Sequence, residues 1–173
     1  EAGRKYLAPG LFGPCGYGLP SIVGAKIGCP NTPVVGFSGD GAFGIAVTEL
    51  TAIGRSEWPP VTMIVFRNYQ WGAEKRNSTL WYEDNFVGTE LDTQVSYAAI
   101  AKACGLQGVQ AHTMDELRDV LNSAITDQMT NGKTTLIEAM INQELGDPFR
   151  RDAMKKPVAV AGISASDMRA QQV

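Results

Sequence analysis

Apolar residues cluster in short unbroken runs bounded by turn formers. Residues 33–38 (Pro-Val-Val-Gly-Phe-Ser), 61–66 (Val-Thr-Met-Ile-Val-Phe) and 134–141 (Thr-Thr-Leu-Ile-Glu-Ala-Met-Ile) are such runs. They are too short for buried helices and predict buried strands, with a fourth, shorter strand over 107–110. Helical signals lie between them. Pro20 suits a first turn and predicts a helix over 21–27, stopped near Gly28. Ile45, Leu50 and Ile53 share a helical face in a segment from Phe43 to about Ser56. Thr93 predicts a cap for a helix through Ala103, with Gly105 as its stop. Thr113-Met114-Asp115-Glu116 is a capping box that opens a helix to about Met129. Strands alternating with helices predict an α/β fold: a doubly wound, mainly parallel sheet with helices on both faces. Residues 68–91 show no clean period and hold Trp71, Trp81 and Tyr82. They predict a long ligand-covering or interface loop with short helical turns. The expected division is a domain over 1–145 and a tail over 146–173, whose 147–156 stretch is highly charged and expected on a surface.

Composition narrows the classes. The 173 residues carry 15 Lys+Arg against 18 Asp+Glu, a net charge of −3, which gives no reason to expect nucleic acid or an anionic membrane as partner. No stretch approaches the roughly 20 apolar residues of a membrane span. Cys15, Cys29 and Cys104 are far apart and His112 is the single histidine, so a zinc cluster is not expected. Sparse thiols fit a reduced, cytoplasmic setting. The first residue is Glu1, which suggests a piece of a longer protein. Glycine changes the picture most: 12 of the 19 lie in the first 54 positions. That bias places a ligand cradle in the N-terminal third, because glycine permits close backbone approach; the plainer reading is a loop-rich edge.

The candidate chemistry sits at Gly39-Asp40-Gly41-Ala42-Phe43-Gly44, a literal G-x-G-x-x-G between a strand and a helix. A nicotinamide site would need an acid near the end of the next strand to hold a ribose. That end reads Phe66-Arg67-Asn68. Asp40 also lies where a pyrophosphate would sit. Two like charges about 4 Å apart repel by roughly 4 kcal/mol at an effective dielectric near 20. A divalent cation between them reverses the sign, and Mg²⁺ favours one or two carboxylates, neutral oxygens and substrate phosphates. Ligands gather at the carboxyl ends of such sheets, which makes Asn68, 28 residues beyond Asp40, the second candidate. Two plainer readings stay open: Asp40 as a helix N-cap and Asn68 as a strand-end turn residue.

Gly-Asp-Gly, a helix, a strand and Asn together resemble the metal motif of the thiamine diphosphate-dependent decarboxylase and acetolactate synthase superfamily. Upstream, Cys15-Gly16-Tyr17-Gly18-Leu19-Pro20 followed by Gly24-Ala25-Lys26 is similar to its aminopyrimidine loop and helix. Residues 98–105 and 113–121 resemble two later helices, so the likeness spans about 9–145. Residues 7–18, 70–75 and 144–152 are similar to the sulfoacetaldehyde acetyltransferase branch. The resemblance implies side-chain Mg²⁺ ligation by Asp40 and Asn68 and a backbone carbonyl from Gln70. It implies diphosphate contacts from N–H groups near Gly39, Gly41, Ala42, Trp71 and Gly72, aided by the positive end of the helix from Gly44 to Ser56. Cys15 and Gly16 would touch the aminopyrimidine, Cys15 being smaller than the aliphatic residue usual there. Catalytic side chains are not assigned on this chain: the activating Glu belongs to a pyrimidine-binding domain, supplied by the same full-length chain or another subunit. The implied reaction turns sulfoacetaldehyde and phosphate into acetyl phosphate and sulfite within a homo-oligomer.

Alternatives are an acetolactate synthase-like or 2-oxo acid decarboxylase domain, a nicotinamide-binding dehydrogenase domain, and a non-catalytic assembly subunit. His112 is expected in a loop, and Trp71, Trp81 and Tyr82 in packing or an interface. Arg150 and Arg151 are expected as a solvated cluster, with anion binding as the alternative.

Overall fold

The computed structural model describes residues 5–145; the tail over 146–173, with the 147–156 charged stretch and Arg150 and Arg151, lies outside the described residues, as does the Trp81 side chain. The chain divides into two units, Glu1–Gln143 and Glu144–Val173. Four strands form the sheet of the first: β1 (Val35–Gly39), β2 (Thr62–Arg67), β3 (Gln107–Ala111) and β4 (Thr135–Met140). All pairings are parallel and the spatial order is β1-β2-β4-β3. The expected parallel α/β sheet is what the chain forms.

Side chains alternate across the sheet and build a core on each face. Met63 and Val65 of β2 join Leu136, Phe43, Leu50, Ile53 and Tyr97 on one side, with Leu19, Ile22 and Val23 of α1 (Gly18–Gly28). Ile64 joins Ile137, Ala111 and Ala139 on the other, under Leu117, Val120 and Leu121 from the segment after Thr113. Two glycines let the layers close. A Cβ on Gly108 would lie 2.0 Å from the Ala98 carbonyl oxygen, and one on Gly54 would lie 2.0 Å from that of Cys104.

Three helical expectations need correction. The helix expected from Phe43 to about Ser56 is three pieces: α2 (Asp40–Ile45), a 3-10 turn (Val47–Glu49) and α3 (Leu50–Ile53). Ala46, at φ −106° and ψ 12°, breaks it, and Ile45 is exposed while Leu50 and Ile53 are buried. The 68–91 segment holds a regular helix, α4 (Gly72–Trp81). Its Ala73-Glu74-Lys75-Arg76 stretch has strong intrinsic helix propensity but no apolar face, so periodicity misses it. The next helix, α5 (Tyr97–Ala103), is capped by Ser96, whose Oγ accepts from Ala99 N at 3.2 Å, and not by Thr93. Gly105 stops it at φ +82°. Thr113 does cap α6 (Met114–Thr126), accepting from Glu116 N at 3.1 Å, while Glu116 reaches back to the N–H of the exposed His112. A π turn (Asp127–Asn131) ends that region.

Candidate functional site

Parallel pairing sets Gly39 opposite Phe66. Asp40 and Asn68 therefore leave neighbouring strand ends side by side, at the carboxyl edge where ligands of such sheets collect. Asp40 is the first residue of α2 and is 1% exposed. Its side chain does not cap the helix; Gly39 is the N-cap and no side-chain cap bond forms. Instead, Oδ2 accepts three donors from the end of β2: Arg67 Nη1 at 3.1 Å, Asn68 N at 3.1 Å and Tyr69 N at 2.7 Å. Tyr69 takes a left-handed φ of +61°, unusual for a bulky residue, as the chain turns toward Gln70.

Oδ1 of Asp40 has a different setting. It accepts from Gly41 N at 2.9 Å and faces the Asn68 amide. With Asn68 oriented to accept from Gln70 N, its Oδ1 stands 3.2 Å from Asp40 Oδ1 and 3.1 Å from the Gln70 carbonyl. Turned over, the amide nitrogen donates to both oxygens. The same amide can thus satisfy the site by itself or present a third acceptor to a cation. Neighbouring ligands on an octahedral Mg²⁺, with bonds of about 2.0–2.1 Å, stand about 2.9 Å apart. With the Asn68 amide oxygen turned toward Asp40 Oδ1 and the Gln70 carbonyl, the two spacings are close to that, so in this orientation the residues present fit a small hard cation. Among the described residues no cluster of three or more His, Cys, Asp or Glu could hold a metal. A site here depends on one carboxylate and neutral oxygens, the donor set suited to Mg²⁺ shared with phosphate.

The other expected residues surround this edge unequally. Gly41 and Trp71 meet directly: a Cβ on Gly41 would lie 2.8–3.0 Å from Trp71 ring carbons. Gly72 opens α4 beside Asn68, with 3.6 Å between a Cβ built there and Asn68 Nδ2. Gly16, at φ +88°, faces Ile45 of α2, while Cys15 beside it is exposed. Gly39 is exposed and Ala42 half-buried. The Gly41 N–H is donated to Asp40, and the Trp71 N–H to the Thr89 carbonyl at 2.7 Å. Gln70 is buried; its Nε2 donates to the Gln143 carbonyl at 2.9 Å and its Oε1 has no partner. A hollow of about 530 Å³, lined by residues including Lys102, Gln107, Asp127 and Thr135, lies at the opposite, amino ends of β3 and β4 and is remote from these groups.

Behind Asp40 lies a buried polar network that the motif alone does not reveal. Arg67 and Glu138 are each 1% exposed, with Arg67 Nε 3.6 Å from Glu138 Oε1. Glu138 accepts from Ser96 Oγ, Tyr97 N, Ala98 N and Gln110 Nε2 at 2.9–3.2 Å. Burial pushes its pKa up, but the donors from Gln110, Tyr97, Ser96 and Ala98 outweigh it and hold the carboxyl below its ordinary value. The Tyr97 hydroxyl donates to the Asp40 carbonyl at 3.0 Å, and burial raises its pKa. A signal for this network was present: a charged residue inside the apolar run Leu-Ile-Glu-Ala-Met requires a buried partner.

Residues 1–139 match the family model "Thiamine pyrophosphate enzyme, C-terminal TPP binding domain", and the chain belongs to that family. The family's cofactor is thiamine diphosphate, bound with Mg²⁺. At finer grain, the chain is 83% identical over all 173 residues to the sulfoacetaldehyde acetyltransferase of Roseovarius nubinhibens, covering 28% of that protein. It is 79% identical over 170 residues to the sulfoacetaldehyde acetyltransferase of Rhodobacter capsulatus, covering 98% of this chain and 29% of that protein. Among solved structures it is similar to the thiamine diphosphate-dependent 4-hydroxybenzoylformate decarboxylase of Rhodococcus jostii RHA1, at a TM-score of 0.66 and 27% identity over 73% of this chain and 23% of that one. The chain thus spans less than a third of the length of these relatives. The dehydrogenase reading fails on this family membership.

Proposed function

We propose that this domain serves a sulfoacetaldehyde acetyltransferase, with Asp40, Asn68 and the Gln70 carbonyl holding Mg²⁺ against the diphosphate of the cofactor. The buried Asp40 carboxylate carries the metal assignment: its Oδ1 lies 3.2 Å from the Asn68 side-chain amide, which lies 3.1 Å from the Gln70 carbonyl and can be turned to face them with nitrogen or oxygen. When bound, the cofactor supplies the nucleophilic carbon and electron sink of carbonyl chemistry. This chain's residues bind and orient it. Gly41 leaves room for the Trp71 ring, Gly16 lets the 15–18 loop pack against Ile45, and Gly39 faces open space. Ala42, Trp71 and Gly72 complete the diphosphate side in this reading, and Cys15 with Gly16 borders the aminopyrimidine. No residue of this chain is assigned proton transfer; the activating Glu comes from a pyrimidine-binding domain of the same longer chain or another subunit.

Exposed apolar side chains support that partnership. Leu7, Leu11, Phe12, Tyr82, Phe86 and Val87 are all exposed, a concentration that a partner surface would cover. The proposed setting is a cytoplasmic homo-oligomer acting on a small molecule; among the described residues no helix is long and apolar enough to cross a membrane. The choice of substrate rests on the relatives that are 83% and 79% identical. The test incubates the full-length enzyme with sulfoacetaldehyde, phosphate, Mg²⁺ and thiamine diphosphate. Sulfite and acetyl phosphate should form together. If neither appears while pyruvate is decarboxylated or condensed, the family holds and the acetyltransferase reading fails.

A further inference from the structure

We propose that Arg67, anchored by Glu138, positions the Asp40 carboxylate so that Oδ1 is reserved for the metal. This rests on the metal reading of Asp40 given above. Arg67 is the last residue of β2 and immediately precedes Asn68. Its two terminal nitrogens are hydrogen-bonded, while the buried Nε makes no hydrogen bond and is met only by the Glu138 carboxylate. Nη1 donates to Asp40 Oδ2 at 3.1 Å, and Nη2 donates to the carbonyls of Asp92 and Val95 at 2.7 and 2.9 Å. Nε faces Glu138 at 3.6 Å, and the rings of Tyr69 and Tyr97 lie 4.1 and 5.0 Å from the guanidinium carbon. A planar fork fixed in this way has one orientation in which to meet a carboxylate.

The consequence falls on the two oxygens of Asp40. Oδ2 takes three donors, one of them charged, and charge-assisted bonds are the stronger kind. Oδ1 takes the Gly41 N–H and lies 3.2 Å from the Asn68 side-chain amide, which in turn lies 3.1 Å from the Gln70 carbonyl. Mg²⁺ demands near-ideal octahedral geometry, so a carboxylate offering one fixed oxygen suits it better than one free to turn and chelate. An arginine beside a cation site would by itself repel the cation. Glu138, buried against the same guanidinium and fixed by its own four donors, offsets that charge. The pair therefore steers Asp40 with little change in the net charge that a metal meets. Partners of this kind behind metal-binding carboxylates set affinity as well as orientation.

Two variants of the full-length enzyme isolate position from charge. Arg67→Lys keeps the charge and loses the fork. Arg67→Met combined with Glu138→Gln removes one charge of each sign and retains an acceptor at 138. The probe is Mn²⁺, titrated by electron paramagnetic resonance with thiamine diphosphate present. The expected result is an Mn²⁺ dissociation constant raised about tenfold or more in both variants, the range seen when such outer partners are removed. Lost activity should return as metal concentration is raised. If both folded variants bind Mn²⁺ within about twofold of wild type, a shift well below that range, while Asp40→Ala loses binding, the positioning role is overturned and the metal site stands. If Asp40→Ala binds Mn²⁺ like wild type, the metal reading itself falls and this inference with it.

Discussion

The carboxyl edge of β1 and β2 and the segments over 7–17 and 82–87 treat their side chains in opposite ways. At the strand edge a buried carboxylate, a buried arginine and a second buried carboxylate sit within one hydrogen-bonded set, each 1% exposed. In the other segments Leu11, Phe12, Tyr82 and Val87 are exposed apolar groups without cover. The first region is pre-built: apart from Gln70 Oε1 and Arg67 Nε, its buried polar groups are hydrogen-bonded inside the domain, so a cation would meet an arrangement already held. The second region is unfinished, because apolar surface of that kind is stabilised only when something else removes it from water. The domain thus carries a framed polar edge, the proposed metal site, beside exposed apolar segments that the proposed partner surfaces would cover.

The largest expected effect strikes the frame. Gly108→Ala forces a Cβ to within 2.0 Å of the Ala98 carbonyl, backbone against backbone, with no flexible side chain to yield. Overpacking of this kind costs about 3 kcal/mol, and urea denaturation of the variant should show a correspondingly lowered midpoint, with the strand-edge network lost together with the α5–β3 contact. A smaller effect follows at Glu138. Glu138→Gln should cost about 1–3 kcal/mol near neutral pH, since it weakens a buried charge pair and four donor contacts. The carboxyl of Glu138 is held below its ordinary value of 4.5 in the folded protein. Its stabilisation is therefore full above that value and is lost as pH falls through the lower, folded-state value. Unfolding midpoints of wild type and Glu138→Gln should converge across that acidic window. The smallest effect on stability belongs to the unfinished region. Phe12→Ser should change unfolding free energy by no more than about 0.5 kcal/mol, as exposed positions generally do. Its effect should appear in assembly, as a weaker association constant by sedimentation. A large stability loss at Phe12 with intact assembly would reverse the comparison.

Much of this was legible in the sequence, for identifiable reasons. The three apolar runs could be read because parallel strands are buried on both faces and need continuous apolar chain. The adjacency of Asp40 and Asn68 could be read because both follow strands of one parallel sheet and so meet at its carboxyl edge. The broken α2–α3 helix could not, since Ala46 carries no breaker signature and the helix face from Ile45 to Ile53 looks regular. The α4 helix was hidden because an exposed helix needs no apolar stripe. Arg67 entered as the residue that ruled out a ribose-binding acid; its three-sided hold on Asp40, the 92–95 turn and Glu138 depends on residues up to 71 positions away, beyond any local pattern.

The central claim is that Asp40 and the acceptors beside it make cofactor binding depend on a divalent cation. The most direct measurement is calorimetric titration of thiamine diphosphate into the full-length enzyme, with Mg²⁺ and again after chelation, for wild type and Asp40→Ala. Wild type should bind only with Mg²⁺ present, and Asp40→Ala should bind about a hundredfold more weakly or not at all, as loss of a direct ligand should cost at least the upper range seen for outer partners. Undiminished, chelator-insensitive binding by folded Asp40→Ala would contradict the account.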